Sequence, residues 1–193
     1  MRLVLASTSA SRHATLTAAG VPFEASDPGV DEKLLKTGAR DGLALALRLA
    51  EAKASAIDAP AGTLVLGADQ TLALDDGRLL DKAETMADAA DQLRTLSGRT
   101  HRLHAAAALS EDGVTTWRGA ETALMYVRPL SDEFIRDYLD AEWDAVRWSV
   151  GCYHLEGRGA QLFDRVDGSH FAVLGLPLLP LRAELRARGL LPA

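Results

Sequence analysis

Between Thr63 and Leu74 the chain runs Thr-Leu-Val-Leu-Gly-Ala-Asp-Gln-Thr-Leu-Ala-Leu. The stretch is nearly continuous in apolar residues and lacks the polar alternation of a strand that faces water on one side. It is typical of a central strand covered on both faces, and a sheet built around it needs helices above and below. Asp69 stands in its middle. A carboxylate buried there is costly unless it is paired or bound to a metal. Two readings are open. One is a functional carboxylate, with the small Gly67 and Ala68 leaving room for a ligand. The other is a strand-end carboxylate at the sheet rim, or one bonded to nearby backbone.

The flanking sequence supplies the rest of such a fold. Arg2 to Ala6 predicts a short buried strand, Ser7 to Ser11 a polar turn, and a helix follows through Ala19, with Gly20 as its C-cap. Val21 to Ser26 predicts a second strand, ended by Asp27-Pro28-Gly29. Asp41 suits the N-cap of a helix from Gly42 to about Ile57, with Leu43, Leu47 and Ala50 at helical spacing. Asp75-Asp76-Gly77 turns the chain after the central strand, and Thr85 caps a helix to Leu96. Strands from His101 to Leu109 and Val114 to Val127 are joined by Glu111-Asp112-Gly113, a hairpin signal. Ser131 caps a helix with Phe134, Ile135, Tyr138 and Leu139 on one face. Ser149 to Leu155 and Ala160 to Val166 predict another strand pair around Glu156-Gly157-Arg158-Gly159, and a last helix runs from Leu178 to Arg188. With no repeat or linker, the chain is expected to form one domain over residues 1–193. Crossover helices mixed with hairpins point to an α/β fold with a mixed sheet and flanking helices.

Charge and cysteine usage narrow the function. The 193 residues carry a net charge of −6. An acidic chain is poorly suited to long nucleic acid, which needs a basic face, but a few local cations and a metal ion suffice for a small anion. The single Cys152 makes neither an internal disulfide nor a thiolate zinc cage, and it reads as a small buried apolar residue. The N-terminal apolar run is too short for a signal peptide and no stretch approaches a membrane span, so the expected location is the cytoplasm.

Several residue groups can do chemistry. Ala6-Ser7-Thr8-Ser9-Ala10-Ser11-Arg12 lies between a strand and a helix. Backbone N–H groups at a helix start attract anions, the hydroxyls add donors, and Arg12 offers a planar fork for phosphate oxygens. Alternatively, one serine is an N-cap and the rest fill a turn. The chain has neither a P-loop nor a Rossmann glycine fingerprint. Asp31 and Glu32 sit on a loop after Pro28-Gly29; Glu32 and Asp69 can share a hard divalent cation of the kind triphosphate hydrolysis needs. Lys53 and Lys82 are ordinary surface lysines or, if they converge on Asp69, neutralise phosphate charge. The five histidines show no metal-ligand spacing.

In their order, these residues resemble the Maf family of nucleotide pyrophosphatases. The resemblance rests on Leu5-Ala6-Ser7-Thr8-Ser9 with Arg12, Val30-Asp31-Glu32, Arg48 to Ala54, and Gly67-Ala68-Asp69-Gln70. It continues through Lys82, Leu96 to His101, Glu156 to Ala160 and Val173 to Leu178. It implies a Maf/ITPase-like fold of two lobes around a deep cleft, and a Mg²⁺- or Mn²⁺-dependent attack of water on the α-phosphate of a nucleoside triphosphate, releasing pyrophosphate. The family's general base maps onto Asp69, and Ser7, Arg12, Glu32, Lys53 and Lys82 match its other cleft residues. Family habit also suggests a homodimer, and a link to arrest of cell division keeps a nucleotide-binding regulator of septation as a non-enzymatic alternative.

Three positions separate a branch acting on dTTP and UTP from one acting on 7-methyl-GTP: Ser11, Gln70 and Glu156. Gln70 and Glu156 resemble the 7-methyl-GTP branch. Glu156 has a chemical rationale, because a carboxylate accepts from the two donors of a guanine edge and has nothing to donate to uracil or thymine carbonyls. Ser11 departs from both branches, which carry a basic or an aromatic residue there. Asp81-Lys82-Ala83 replaces the family's Gly-Lys-Pro, and Ser149 to Tyr153 and Ser169-His170-Phe171 depart as well. A 7-methyl-GTP-type enzyme is therefore expected, with a dTTP/UTP or broader modified-nucleotide enzyme as the alternative.

Overall fold

A computed structural model describes residues 1–192. Its strands are β1 (Arg2–Ala6), β2 (Glu24–Ser26), β3 (Thr63–Leu74), β4 (Leu79–Leu80), β5 (Thr100–Glu111), β6 (Val114–Val127) and β7 (Phe163–Asp167). Its helices are α1 (Ala10–Ala18), α2 (Glu32–Lys36), α3 (Gly42–Ser55), α4 (Met86–Leu96), α5 (Asp132–Val146), α6 (His170–Val173) and α7 (Leu178–Ala187), with a 3₁₀ turn at Arg158–Leu162.

All the strands join one mixed sheet in the order β2-β1-β3-β5-β6-β7, with β4 also pairing with β3. The β1 pairings are parallel and the others antiparallel. As its apolar run predicts, β3 is central and buried, with only Gln70 partly exposed. Ala50 and Ala54 of α3 cover one face; Leu16 of α1 and Leu181 and Leu185 of α7 pack with Leu64, Leu66 and Ala68 on the other. A second core joins Leu72 and Leu74 to Leu93 and Leu96 of α4 and to Ile135, Tyr138 and Leu139 of α5. The two cores are two lobes that share the long strands β3 and β5.

On one edge β3 pairs with β1 from Thr63 to Gly67, and with β4 only at Leu72 and Ala73. Between them, at Ala68 to Thr71, that edge carries no strand. β1 ends at Ala6 opposite Gly67, so the chain leaves the sheet beside Asp69. Ligands of α/β sheets bind at such breaks, outside the carboxyl ends of strands.

Four sequence expectations need correction. The second strand shrinks to Glu24–Ser26, because Val21 turns back to bond Leu16 and Pro22 has no N–H to give. Ser149 to Leu155 is not a strand: Gly151 and Cys152 take φ of 82° and 57°, which reverses the chain, and only Phe163–Asp167 pairs with β6. Asp31 and Glu32 do not lie on an open loop; Asp31 accepts from Lys33 N–H at 3.1 Å and caps α2, in which Glu32 is the first residue. On α3 the inward stripe is Leu45, Ala46, Leu49, Ala50, Lys53 and Ala54, while Leu43 points outward. The β5–β6 hairpin turns as expected, on Asp112 and Gly113 with φ of 51° and 75°, the left-handed pair of a type I′ turn.

Candidate active site

The break in the sheet opens into a cleft of about 1150 Å³, slightly larger than ordinary small-ligand sites. It is lined by Ser7 to Arg12, Glu32, Lys36, Lys53, Asp69, Gln70, Lys82 and Glu156, among others.

Its floor is an ion cluster. Lys53 and Asp69 are both more than nine-tenths buried, and the lysine Nζ stands 2.5 Å from Asp69 Oδ1 and 2.7 Å from Glu32 Oε1. Lys36 holds the other Glu32 oxygen at 3.1 Å and Asp81 at 2.9 Å. Burial works to raise the Glu32 pKa, but the hydrogen bonds and charges of Lys53 and Lys36 outweigh it and hold the carboxyl at about 2. The lysine reaches this depth because α3 lies directly on β3. A Cβ on Gly67 would stand 2.1 Å from the Ala50 carbonyl and 2.4 Å from the Ala54 nitrogen. Gly67 and Ala68 therefore leave no room for a ligand, contrary to the sequence expectation: Gly67 admits the helix backbone, and Ala68 packs into the opposite core.

Facing the cluster is the turn after β1. Ser9 occupies the N-cap position of α1 without a side-chain cap bond, so no side chain covers the first-turn N–H groups. Ser7 Oγ accepts from Ser9 N–H at 3.2 Å and from Arg12 Nη1 at 3.3 Å, while Arg12 Nε donates to the Gly175 carbonyl at 3.0 Å. Burial lowers the Arg12 pKa, and the carboxylates of Asp69 and Glu32 oppose it. A guanidinium stays charged throughout, so Arg12 is a fixed cation aimed at the same space as Lys53.

Two oxygens, one from Glu32 and one from Asp69, contact the same ammonium and so lie close enough to share one cation. A pair of carboxylates suits Mg²⁺ or Mn²⁺, which take few protein ligands and draw the rest from water and phosphate. Among the described residues no group of three or more His, Cys, Asp or Glu is gathered as a metal cage. The donor set thus fits a cation that arrives with a phosphate ligand.

The chain matches the Maf-like protein family over residues 2–188. It is 50% identical to a nucleoside triphosphate pyrophosphatase of Sphingopyxis alaskensis, with all of both chains aligned. It is 46% identical to one from Caulobacter vibrioides, covering 98% of this chain and 96% of that protein. A protein of Rhizobium meliloti named 7-methyl-GTP pyrophosphatase is 44% identical over 99% of this chain and 98% of its own length.

The chain belongs to the Maf family.

Of the residues the family resemblance picks out, Ser7, Arg12, Glu32, Lys53 and Asp69 converge on one end of the cleft. Lys82 is exposed at the rim, its backbone N–H held by Asp81 at 2.9 Å. Asp81 adds a carboxylate that Lys36 satisfies. Glu156 is exposed at another part of the rim. Ser11 donates to the Leu174 carbonyl at 2.7 Å, and Gln70 Nε2 donates to the carbonyls of Ala172 and Val173 at 2.7 and 3.0 Å. Both tie down the loop that holds Arg12. Lys36 and Trp148, also cleft residues, escaped the sequence reading. The Glu32–Lys36 pairing is an i,i+4 helix spacing, which is visible only once α2 is taken as a helix.

Proposed function

We propose that this nucleoside triphosphate pyrophosphatase acts on 7-methyl-GTP or a closely similar guanine nucleotide, with a divalent cation as cofactor. The observation that carries the reading is the buried Lys53, shared by Glu32 and Asp69 and facing the Ser7–Arg12 turn across one cleft. The triphosphate lies between the two groups. Ser7, Arg12 and the first-turn N–H groups of α1 hold its oxygens. Lys53 holds Asp69 Oδ1, which fixes the carboxylate and leaves Oδ2 to take the proton of water. The water oxygen bonds to the α-phosphorus, the bond from that phosphorus to the bridging oxygen breaks, and pyrophosphate departs with the electron pair. Lys53, Lys36 and Lys82 offset the charge that collects on it. A bound Mg²⁺ or Mn²⁺, held by Glu32 and Asp69, would supply further stabilisation of phosphate charge.

Glu156 supports the guanine preference, since its carboxylate matches N1–H and the exocyclic amine. The bonds of Ser11 and Gln70 add nothing to a guanine preference, and the second reading is a dTTP/UTP or broader modified-nucleotide enzyme. Both side chains spend their protons on backbone carbonyls and have none left for a base. A non-enzymatic septation regulator would need no buried lysine bridging the carboxylates of Glu32 and Asp69. The reading includes a cytoplasmic location and a homodimer, the latter tested by light scattering.

The test is a panel of 7-methyl-GTP, GTP, dTTP and UTP with Mg²⁺ or Mn²⁺, read by pyrophosphate release. The highest kcat/KM is expected for 7-methyl-GTP, and chelation should abolish turnover. Asp69→Asn should lose about 10²–10⁴-fold in kcat, the usual contribution of a general base. Preference for dTTP or UTP over every guanine nucleotide overturns the substrate assignment, and an Asp69→Asn enzyme at wild-type rate overturns the base.

A further inference from the structure

Of the large apolar side chains exposed among the described residues, Trp148 alone borders the cleft, and it is 68% exposed. An indole in water inside a ligand site is an unused contact surface. It is also held in place. Trp148 follows the end of α5, and the Arg147 guanidinium lies between Trp143 and Trp148, 5.4 and 4.8 Å from their ring centroids. That cation–π contact occupies one face of the indole and limits its rotamers.

The chain then turns through Gly151 and Cys152, both at positive φ, and lines the cleft again from Tyr153 to Glu156. The turn is anchored at two points. Tyr138 donates its hydroxyl hydrogen to the Cys152 carbonyl at 3.1 Å, and Ser149 Oγ meets His154 Nε2 at 2.8 Å. One fixed loop therefore carries an aromatic face at its start and a carboxylate at its end, both on the cleft and both outside the Lys53 cluster. Flat ligands with N–H donors along one edge need these two groups together, a face for stacking and an acceptor for the edge.

The structure assigns Trp148 as the platform on which the nucleobase stacks. The assignment rests on the reading above that a nucleoside triphosphate occupies this cleft with its phosphates at Ser7 and Arg12. It goes beyond that reading by placing the base against the loop after α5. Stacking accepts any base, so Trp148 contributes affinity and Glu156 contributes choice.

Trp148→Ala should raise KM for every nucleotide that is turned over by on the order of 10-fold, with kcat little changed, as expected for the loss of one base–aromatic stack. Trp148→Phe, which keeps a smaller ring, should recover most of that loss. Inhibition by inorganic tripolyphosphate, which has no base, should be the same in all three proteins. In a direct reading, 7-methyl-GMP and GMP should quench the fluorescence of the wild-type protein, and the quench should vanish in Trp148→Phe although Trp117 and Trp143 remain. An unchanged KM in Trp148→Ala overturns the assignment, as does an equal weakening of tripolyphosphate or a quench that persists in Trp148→Phe. The outcomes also separate the two proposals. If the preferred nucleotide is a pyrimidine and Trp148→Ala still raises its KM, the substrate reading fails and the platform stands. If 7-methyl-GTP is preferred and Trp148→Ala leaves KM unchanged, the platform fails and the substrate reading stands.

Discussion

Substituting Gly67 by alanine tests the roles proposed for Lys53 and Asp69, because it alters neither of them. A Cβ at position 67 meets the Ala50 carbonyl at 2.1 Å and the Ala54 nitrogen at 2.4 Å, and both atoms are helix backbone that no rotamer change can clear. Helix α3 must lift from β3 by roughly 1 Å to restore contact distance, and a shift of that size near reacting groups can cost about 100-fold in rate. Lys53 rides on the lifted segment, one residue before Ala54, while Asp69 stays on the strand. Overpacking of this kind costs about 2 kcal/mol, which for a domain of this length lowers Tm by about 4–8 °C. The expected Gly67→Ala protein is thus folded but less stable, and its kcat falls far more than its affinity for tripolyphosphate. Pyrophosphate release and a thermal melt read the two effects. An alanine variant with wild-type Tm and wild-type kcat would refute the argument, since α3 would then not bear on β3 at this residue.

Gln70→Leu should free the Leu174–Gly175 loop and with it Arg12, raising KM about 10-fold for all nucleotides alike, the scale of one lost hydrogen-bond network. If base preference changes instead, measured as the kcat/KM ratio of 7-methyl-GTP to UTP, Gln70 reads the base. Glu156→Gln should move that same ratio toward UTP by about 10-fold or more, because an amide both donates and accepts; an unmoved ratio removes Glu156 from base reading. Burial pushes the His101 imidazole down from its ordinary 6.5 to about 4, so protons favour the unfolded chain. Its contribution to stability is whole above pH 6.5 and is lost as pH falls toward 4, amounting to about 3 kcal/mol. His101→Phe should flatten the acid limb of the urea midpoint while costing about 1 kcal/mol at neutral pH for the Tyr153 hydroxyl left behind; an equally steep limb in the variant would assign acid sensitivity elsewhere.

The run from Thr63 to Leu74 was enough to place the centre of the sheet, since few structures other than a doubly covered strand bury so long a stretch. It hid the difference between its own two faces. Asp69 and Gln70 are neighbours in sequence and so point to opposite sides, one to α3 and the other to α6. In an alternating strand that distinction is plain, but here both faces are apolar. The same limit made Gly67 look like space for a ligand, when the space belongs to a helix that passes thirteen to seventeen positions earlier in the chain. The segment from Ser149 to Leu155 departs from the expected strand for a different reason. Val150, Tyr153 and Leu155 carry strand propensity, yet tertiary contacts take Tyr153 to His101 and Cys152 into the core, and left-handed backbone at Gly151 and Cys152 follows from that demand.

The residues of the cleft are held to two different standards. Ser7, Arg12, Lys53 and Asp69 are each nine-tenths or more buried, and each is fixed by a strand, a helix or a bonded partner. A change there disturbs the core as well as the chemistry. Glu156, Trp148 and Lys82 are exposed and belong to turns outside the sheet. Substitutions of exposed turn residues usually cost less than about 0.5 kcal/mol. Substitution at Glu156, Trp148 or Lys82 is therefore expected to leave stability nearly unchanged, whereas substitution at Ser7, Arg12, Lys53 or Asp69 is expected to lower it. The proposed platform at Trp148 leaves position 11 free of base stacking, and in this chain Ser11 is bonded to the loop that supports Arg12.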